Sequence, residues 1–219
     1  MQIDPKALDA ASRYKLMIGG IVPRPIALVS TIGPGPEGAM NIAPFSFFAG
    51  VGSDPMMLLL CPANNGSGGE KDTLRNAKPV SEGGTGEFVV HICPDRLARK
   101  MAACAEPLAY GQSEAELAGL TLTASAVVKP MRVVQSPLAF ECVTRQVIRT
   151  NPGVPAGGNI VLGEVVSVYA DEGLINERYH VDPAMLDAIG RMGGLGYCRT
   201  RDRFELPMGR AALEGTAER

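Results

Sequence analysis

Along the chain, apolar residues cluster in short runs broken by glycine and proline, with few long helical stripes. The clearest pattern runs from Leu138 to about Thr150. There Leu138, Phe140, Cys142, Thr144, Gln146 and Ile148 alternate with Glu141, Val143, Arg145 and Val147. Side chains two apart share one face of a strand, so this stretch predicts one long strand. Ile160 to Ala170 predicts a second, and the loop Asn151 to Asn159 makes the pair an antiparallel hairpin. Shorter runs at Pro25–Ile32, Ala39–Phe48, Met56–Cys61 and Glu87–Cys93 read as further strands, and Gly193–Tyr197 leads into a last short one.

Helices are fewer. Asp4-Pro5 places a cap residue before a proline, which predicts a helix, with interruptions, to about Met17, stopped by Gly19-Gly20. Glu70–Ala77 predicts a short helix after a glycine-rich loop. Pro94–Ala105 predicts another, with Leu97, Met101 and Cys104 on one face. Asp182-Pro183 starts a last one over Met185–Ile189, and the tail Gly215–Arg219 reads as frayed. Strands with a few helices beside them, and no βαβ alternation, favour a closed or partly closed antiparallel barrel. Without a linker, repeat or charge run, residues 1–219 read as a single domain.

Composition sharpens this picture. Among 219 residues, 26 are Gly and 17 are Pro, which demands many turns. A net charge of −2 argues against a nucleic-acid or membrane-surface partner. Cys61, Cys93, Cys104, Cys142 and Cys198 are scattered and odd in number, as expected for reduced thiols in a cytoplasm. The N-terminus lacks the apolar run of a signal peptide, and no stretch reaches the ~20 apolar residues of a membrane span. The ten methionines read as core filler.

Two glycine clusters imitate nucleotide motifs. Gly33-Pro34-Gly35-Pro36-Glu37-Gly38 has dinucleotide-fingerprint spacing, but its prolines lack N–H groups and no helix follows. It reads as a hairpin loop. Asn65–Thr73 lacks the Gly-Lys-Ser/Thr of a P-loop, because Glu70 separates Gly69 from Lys71. A cation, a hydroxyl and free amides at Lys71-Asp72-Thr73 still suit a phosphate.

These pieces share an order. VPRPIALVST (22–31) precedes NIAPFSFF (41–48), GVGSDP (50–55) and KDT (71–73). TGEFVV (85–90), AGLT (118–121), LGEV (162–165) and RMGGLGY (191–197) follow. Over about Tyr14 to Phe204, the chain resembles the flavin reductase-like family, the FMN-binding split barrels. The resemblance implies a mainly β fold, a six-stranded Greek-key antiparallel barrel with flanking helices, and a homodimer with FMN near its interface. It implies Asn41 and backbone around Ile42 and Ala43 beside the ribityl chain or ring, and Ser46 near the phosphate. Lys71, Asp72 and Thr73 become phosphate or ribityl contacts, and Ser30 and Thr31 lie close to the isoalloxazine. Arg24 and the Arg191 region are weaker candidates, for the phosphate and for a lid.

The implied activity is FMN-dependent oxidoreduction. Hydride passes from NADH or NADPH to flavin, and electrons go on to free flavin, a partner protein or another acceptor. The alternative is a flavoredoxin-like electron carrier with little direct NAD(P)H activity, and a further one is a ligand-binding barrel without redox chemistry. No protein acid or base is obligatory. His91 stands where the family commonly has Asn, which puts an imidazole by the flavin or fills an inward polar site. His180 reads as solvated, a zinc site is not expected, and Glu114-Glu116 and Asp171-Glu172 read as solvated turn charges. The choice between NADH and NADPH is not legible in arginines such as Arg145, Arg149 and Arg199.

Overall fold

The computed structural model describes residues 1–35 and 38–213, so Pro36 and Glu37 of the predicted hairpin loop and the tail Gly215–Arg219 lie outside the described residues. The main sheet has seven strands: β2 (Ala27–Ile32), β3 (Met40–Phe45), β4 (Phe48–Ser53), β5 (Met56–Leu60), β6 (Glu87–Ile92), β9 (Leu138–Arg149) and β10 (Asn159–Ala170). Their order is β3-β2-β6-β9-β10-β5-β4, and every pairing is antiparallel.

The two edge strands, β3 and β4, are joined by Ser46 and Phe47 alone. Six inter-strand spacings would separate the edges of a flat sheet by about 29 Å. Three Cα–Cα steps from Phe45 to Phe48 span about 11 Å at most. The sheet must therefore curl until these two strand ends meet, which produces the barrel, while β3 and β4 remain unpaired with each other. The run Ala39–Phe48, expected as one extended segment, instead breaks at Ser46-Phe47 into β3 and the start of β4.

β2 is buried on both faces, which explains its unbroken apolar run. Ala27 and Val29 join Leu58, Leu60, Phe88, Val90, Cys142 and Val161 inside the barrel, where Leu74 and Ala77 of α2 (Asp72–Ala77) complete the cluster. Leu28 and Ile42 pack on the other face against Leu97, Met101, Cys104 and Ala115. These come from a 3-10 turn at Asp95–Leu97, from α3 (Ala98–Ala103) and its C-cap, and from α4 (Glu114–Ala118). The predicted face of Leu97, Met101 and Cys104 is thus buried, at no more than 2% exposure each.

Smaller elements complete the molecule. β1 (Arg24–Pro25), β11 (Ile189–Arg191) and β12 (Tyr197–Arg199) form a three-stranded sheet, and β7 (Leu122–Thr123) pairs with β8 (Arg132–Val133). The N-terminal helix divides where Asp9 supplies a second cap. A 3-10 turn spans Pro5–Ala7, and α1 (Ala10–Gly20) follows with Ser12 N–H donating to Asp9 at 2.6 Å. The last helix, α5 (Pro183–Leu186), starts as expected but stops early, because Asp187 adopts φ +45°.

Buried Glu141 ties the loop before β8 to the sheet. Its carboxylate accepts the N–H groups of Ala126 and Val127 at 2.7 Å each and of Val128 at 3.2 Å.

Gly163 of β10 faces the barrel interior, where a Cβ would press on the Phe88 ring (2.8 Å to Cε1) and on Cys142 (3.3 Å). Phe88 is fully buried and has no room to turn away. Gly163→Ala is expected to cost roughly 1–3 kcal/mol by overpacking, read as a lowered midpoint in urea denaturation.

Candidate functional site

The site is built on the open edge of β3. Ile42 N–H points away from β2 and donates to a carboxylate oxygen of Glu114 at 3.0 Å, and Pro44 has no N–H to offer. The edge is thereby closed to further strand pairing.

Behind this edge lies a buried, uncharged polar cluster. Asn41 Nδ2 donates to Thr73 Oγ1 at 2.9 Å and, more weakly, to Thr31 Oγ1 at 3.4 Å. Asn76 Nδ2 donates to Thr31 Oγ1 at 3.1 Å. None of the four residues exceeds 8% exposure. The cluster locks the start of α2 against β2 and β3. Asn76 Oδ1 is buried without a partner among the described residues.

A cavity of about 410 Å³ opens along the edge. One wall is β3, with Asn41, Ala43, Pro44 and Phe45. A second is the approach to α2, with Asn65 and Glu70 to Thr73. The third runs from Cys104 through Tyr110 to Glu114.

The approach to α2 is stiffened from two sides. Asn65 Oδ1 accepts the Ser67 N–H (3.0 Å), the Ser67 hydroxyl (2.7 Å) and the Gly69 N–H (2.9 Å). The tip of the β9–β10 hairpin braces the loop from outside. Asn64 Nδ2 donates to the carbonyls of Asn151 (3.2 Å) and Val154 (2.9 Å), and Asn159 donates to Asn64 Oδ1 at 2.9 Å. Gly68, at φ +87°, lies so close to the Gly153 carbonyl that no side chain fits.

Charges around the cavity are mostly spoken for. Burial opposes ionisation of Glu70, but hydrogen bonds from Lys78 (2.8 Å) and Arg149 (3.0 Å) outweigh it and hold its carboxyl below the ordinary range. Arg75 pairs with Asp72 at 2.9 Å and lies 4.8 Å from the centre of the Tyr110 ring. Lys71, exposed at the N-cap of α2, has no ion-pair partner among the described residues. Burial, with Glu114 adding to it, pushes the Cys104 thiol up to about 12, so it stays a neutral thiol.

Of the residues singled out in the sequence, Asn41, Ala43, Lys71, Asp72 and Thr73 line the cavity. Ile42 supplies the edge N–H, and Thr31 sits behind Asn41. The others lie elsewhere. Buried Ser30 donates to the Met131 carbonyl at 2.7 Å. Arg24 is a structural hub, not a free cation. Its guanidinium donates to the carbonyls of Ile18 (2.6 Å), Ile21 (2.8 Å) and Met192 (3.1 Å) and to Ser46 Oγ (3.1 Å), which occupies Ser46 as well. Arg191 stacks on Tyr197 and donates to the Gly194 carbonyl at 2.6 Å.

His91 is not presented to a ligand. It is fully buried; Val133 N–H donates to Nε2 at 3.0 Å, so Nδ1 carries the proton and donates to the Leu28 carbonyl at 2.8 Å. Burial pushes the imidazole down to about 4, helped by nearby Arg132 and opposed by the Leu28 bond.

Sequence reasoning missed the third wall. Glu114 was expected to be a solvated turn charge, yet it is 7% exposed and bonded to a distant strand. One signal was available: Ser113 and Glu116 have capping-box spacing, and Ser113 Oγ does accept the Glu116 N–H at 3.3 Å. Tyr110 was equally invisible; its hydroxyl abuts Gly33, where a side chain would displace it.

An antiparallel barrel with a polar cavity at one strand edge matches known proteins. The family model for the flavin reductase like domain matches residues 19–200, and the chain belongs to that family. A Deinococcus radiodurans protein is 39% identical over 208 residues, covering 93% of this chain and 87% of its own. The solved structure of nitrilotriacetate monooxygenase component B from Bacillus cereus superposes with a TM-score of 0.85 at 31% identity, covering 94% of this chain and 98% of its own. Pseudomonas fluorescens 2-nitrobenzoate 2-nitroreductase NbaA gives 0.81 at 33% identity, over 96% and 97%. The protein is a flavin-related oxidoreductase with a flavin-binding split-barrel fold. Among the described residues, no helix is long and apolar enough to cross a membrane.

His91 makes stability depend on pH. Its value in the folded chain, about 4, lies below the ordinary 6.5 of an unfolded histidine. Between the two, the unfolded chain takes up a proton that the native chain refuses. The contribution is therefore complete above about pH 6.5 and is lost as pH falls toward 4, on the order of 3 kcal/mol in all. Denaturation midpoints measured across this window are expected to fall with pH, and His91→Gln is expected to flatten that slope.

Proposed function

We propose that the cavity along β3 binds FMN and that the protein is an NAD(P)H-dependent flavin reductase. The observation that carries this reading is the cavity itself, which joins Lys71, a cation without an ion-pair partner among the described residues, to the side-chain amide of Asn41 on β3 and the hydroxyl of Thr73 on α2. The donor set suits a phosphorylated, hydroxyl-rich ligand. Lys71 Nζ and the free N–H groups at the start of α2 offer charge-assisted bonds to a phosphate. Asp72 does not oppose that anion alone, since Arg75 neutralises it. Thr73 and Asn41 arrive already oriented by their mutual bond, and the orphaned Asn76 Oδ1 marks a cluster with acceptor capacity to spare.

The apolar groups of Ala43, Pro44, Phe45 and Leu108 provide surface from which a flat ring excludes water. When bound, FMN supplies hydride acceptance from NADH or NADPH and electron release to free flavin, a partner protein or a small acceptor. The chain holds and orients it; His91 takes no part, being sealed in the core. Two of the similar structures, a monooxygenase component and a nitroreductase, support onward transfer to an acceptor. All five cysteines are free, which fits a reducing compartment, the cytoplasm.

We further propose a homodimer. Of the eleven residues of α1 only Ile18 is buried, while Tyr14, Leu16 and Met17 remain exposed, as do Ile21 and Val22 just beyond. An apolar helix face of this kind suits a second copy of the chain. Light scattering after size exclusion is expected to give twice the 23.0 kDa chain mass; a monomer would refute it.

The purified protein is expected to be yellow, and anaerobic NADH or NADPH should bleach its visible flavin band. A bound flavin that stays oxidised under excess of both nucleotides would instead identify an electron carrier of the flavoredoxin kind. Lys71→Ala is expected to weaken FMN binding by roughly tenfold or more, followed by quenching of flavin fluorescence. Unchanged affinity would remove Lys71 from the phosphate role.

A further inference from the structure

Besides Glu70, which Lys78 and Arg149 hold, two acidic residues line the cavity that this reading leaves unused, exposed Glu106 and buried Glu114. Glu114 is 7% exposed, and its Oε2 is fixed by the Ile42 N–H at 3.0 Å. Its Oε1 has no hydrogen-bond partner among the described residues, and the side chain lines the cavity. The cations nearby do not reach it: Arg75 is held by Asp72, and Lys71 bonds to no carboxylate among the described residues.

Glu114 is also unable to swing away cheaply. Ser113 caps α4 immediately before it, and the Cys104 thiol donates to its backbone carbonyl at 3.8 Å. Rotating the carboxylate out to solvent would strip the Ile42 N–H of its acceptor at a buried strand edge, which costs the desolvation of that donor. The free oxygen is therefore presented at a fixed place, dry on one side, with acceptor capacity and no donor.

We propose that Glu114 reads the bound flavin: Oε1 accepts a hydrogen bond from the imide N–H of its ring, a group that can only donate. This rests on the FMN reading above. A carboxylate at this point selects against ligands that turn an acceptor or an anion toward it, so it orients the flavin with its phosphate elsewhere. Glu114 is thus a specificity-determining residue on the wall opposite the α2 approach.

The test is equilibrium binding. In Glu114→Gln, the amide oxygen must still serve the Ile42 N–H, which turns the NH₂ group toward the ligand, donor against donor. The expected result is at least a roughly tenfold loss of FMN affinity with an unchanged circular dichroism spectrum. Repeating the pair with 3-methyl-FMN identifies the donor. A loss that vanishes confirms the ring imide as the donor, and a loss that persists undiminished overturns that assignment. Equal or tighter FMN binding by the variant overturns the role of Glu114 and leaves the FMN reading standing, whereas no binding by the wild type overturns both. If the variant does not fold, the wild type decides alone. 3-Methyl-FMN must then bind more weakly than FMN, and equal binding of the two overturns the proposal.

Discussion

Two residues, Ser46 and Phe47, connect the opposite edges of a seven-stranded sheet, and the rest of the architecture follows from that short tether. A sheet held this way must curl so that the end of β3 meets the start of β4, while the two edge strands stay unpaired. Rolling creates an interior that Phe88, Val161 and Leu60 fill and α2 completes. It also leaves β3 with an outward-facing row of backbone groups that no strand covers. Every feature of the candidate site is a response to that row: a proline that offers no donor, a carboxylate that accepts one, and helices on both sides that leave a cavity between them.

The chain's polar groups divide into those that hold the fold and those without a partner among the described residues. Arg24, Glu141 and His91 are all chemically capable, and all three spend their capacity inside this chain, on its backbone and, for Arg24, on Ser46 Oγ as well. Lys71 and the free oxygen of Glu114 do not. The distinction comes from burial and partner count rather than residue type, which is why a buried arginine here is a clamp while an exposed lysine stays available.

Much of this was legible in the chain. Alternation over Leu138–Ile148 located one of the two longest strands, although its first half is buried on both faces and its second half is largely exposed, and Leu97, Met101 and Cys104 marked their helix face because that face is buried. The KDT block was readable because helix capping and phosphate chemistry are local properties. β4 was not: its FAGVGS sequence lacks β-branched alternation, and tethering and pairing with β5, not intrinsic preference, make it a strand. Glu114, Tyr110 and the fate of Arg24 depend on partners 72, 77 and 168 positions away, respectively, a distance over which sequence pattern carries no information. Only the ordered blocks of the flavin reductase-like family brought the separate pieces together in advance.

The hairpin tip that braces the loop before Lys71 carries a consequence for how the molecule comes into being. The glycine-rich loop is held against residues 151–159, so its shape depends on the closed β9–β10 hairpin. Any ligand held by that loop would meet the completed fold and not a local motif. Occupancy and global stability become thermodynamically linked, and a ligand gripped at Lys71 would protect the distant ribbon from opening as much as it protects its own pocket.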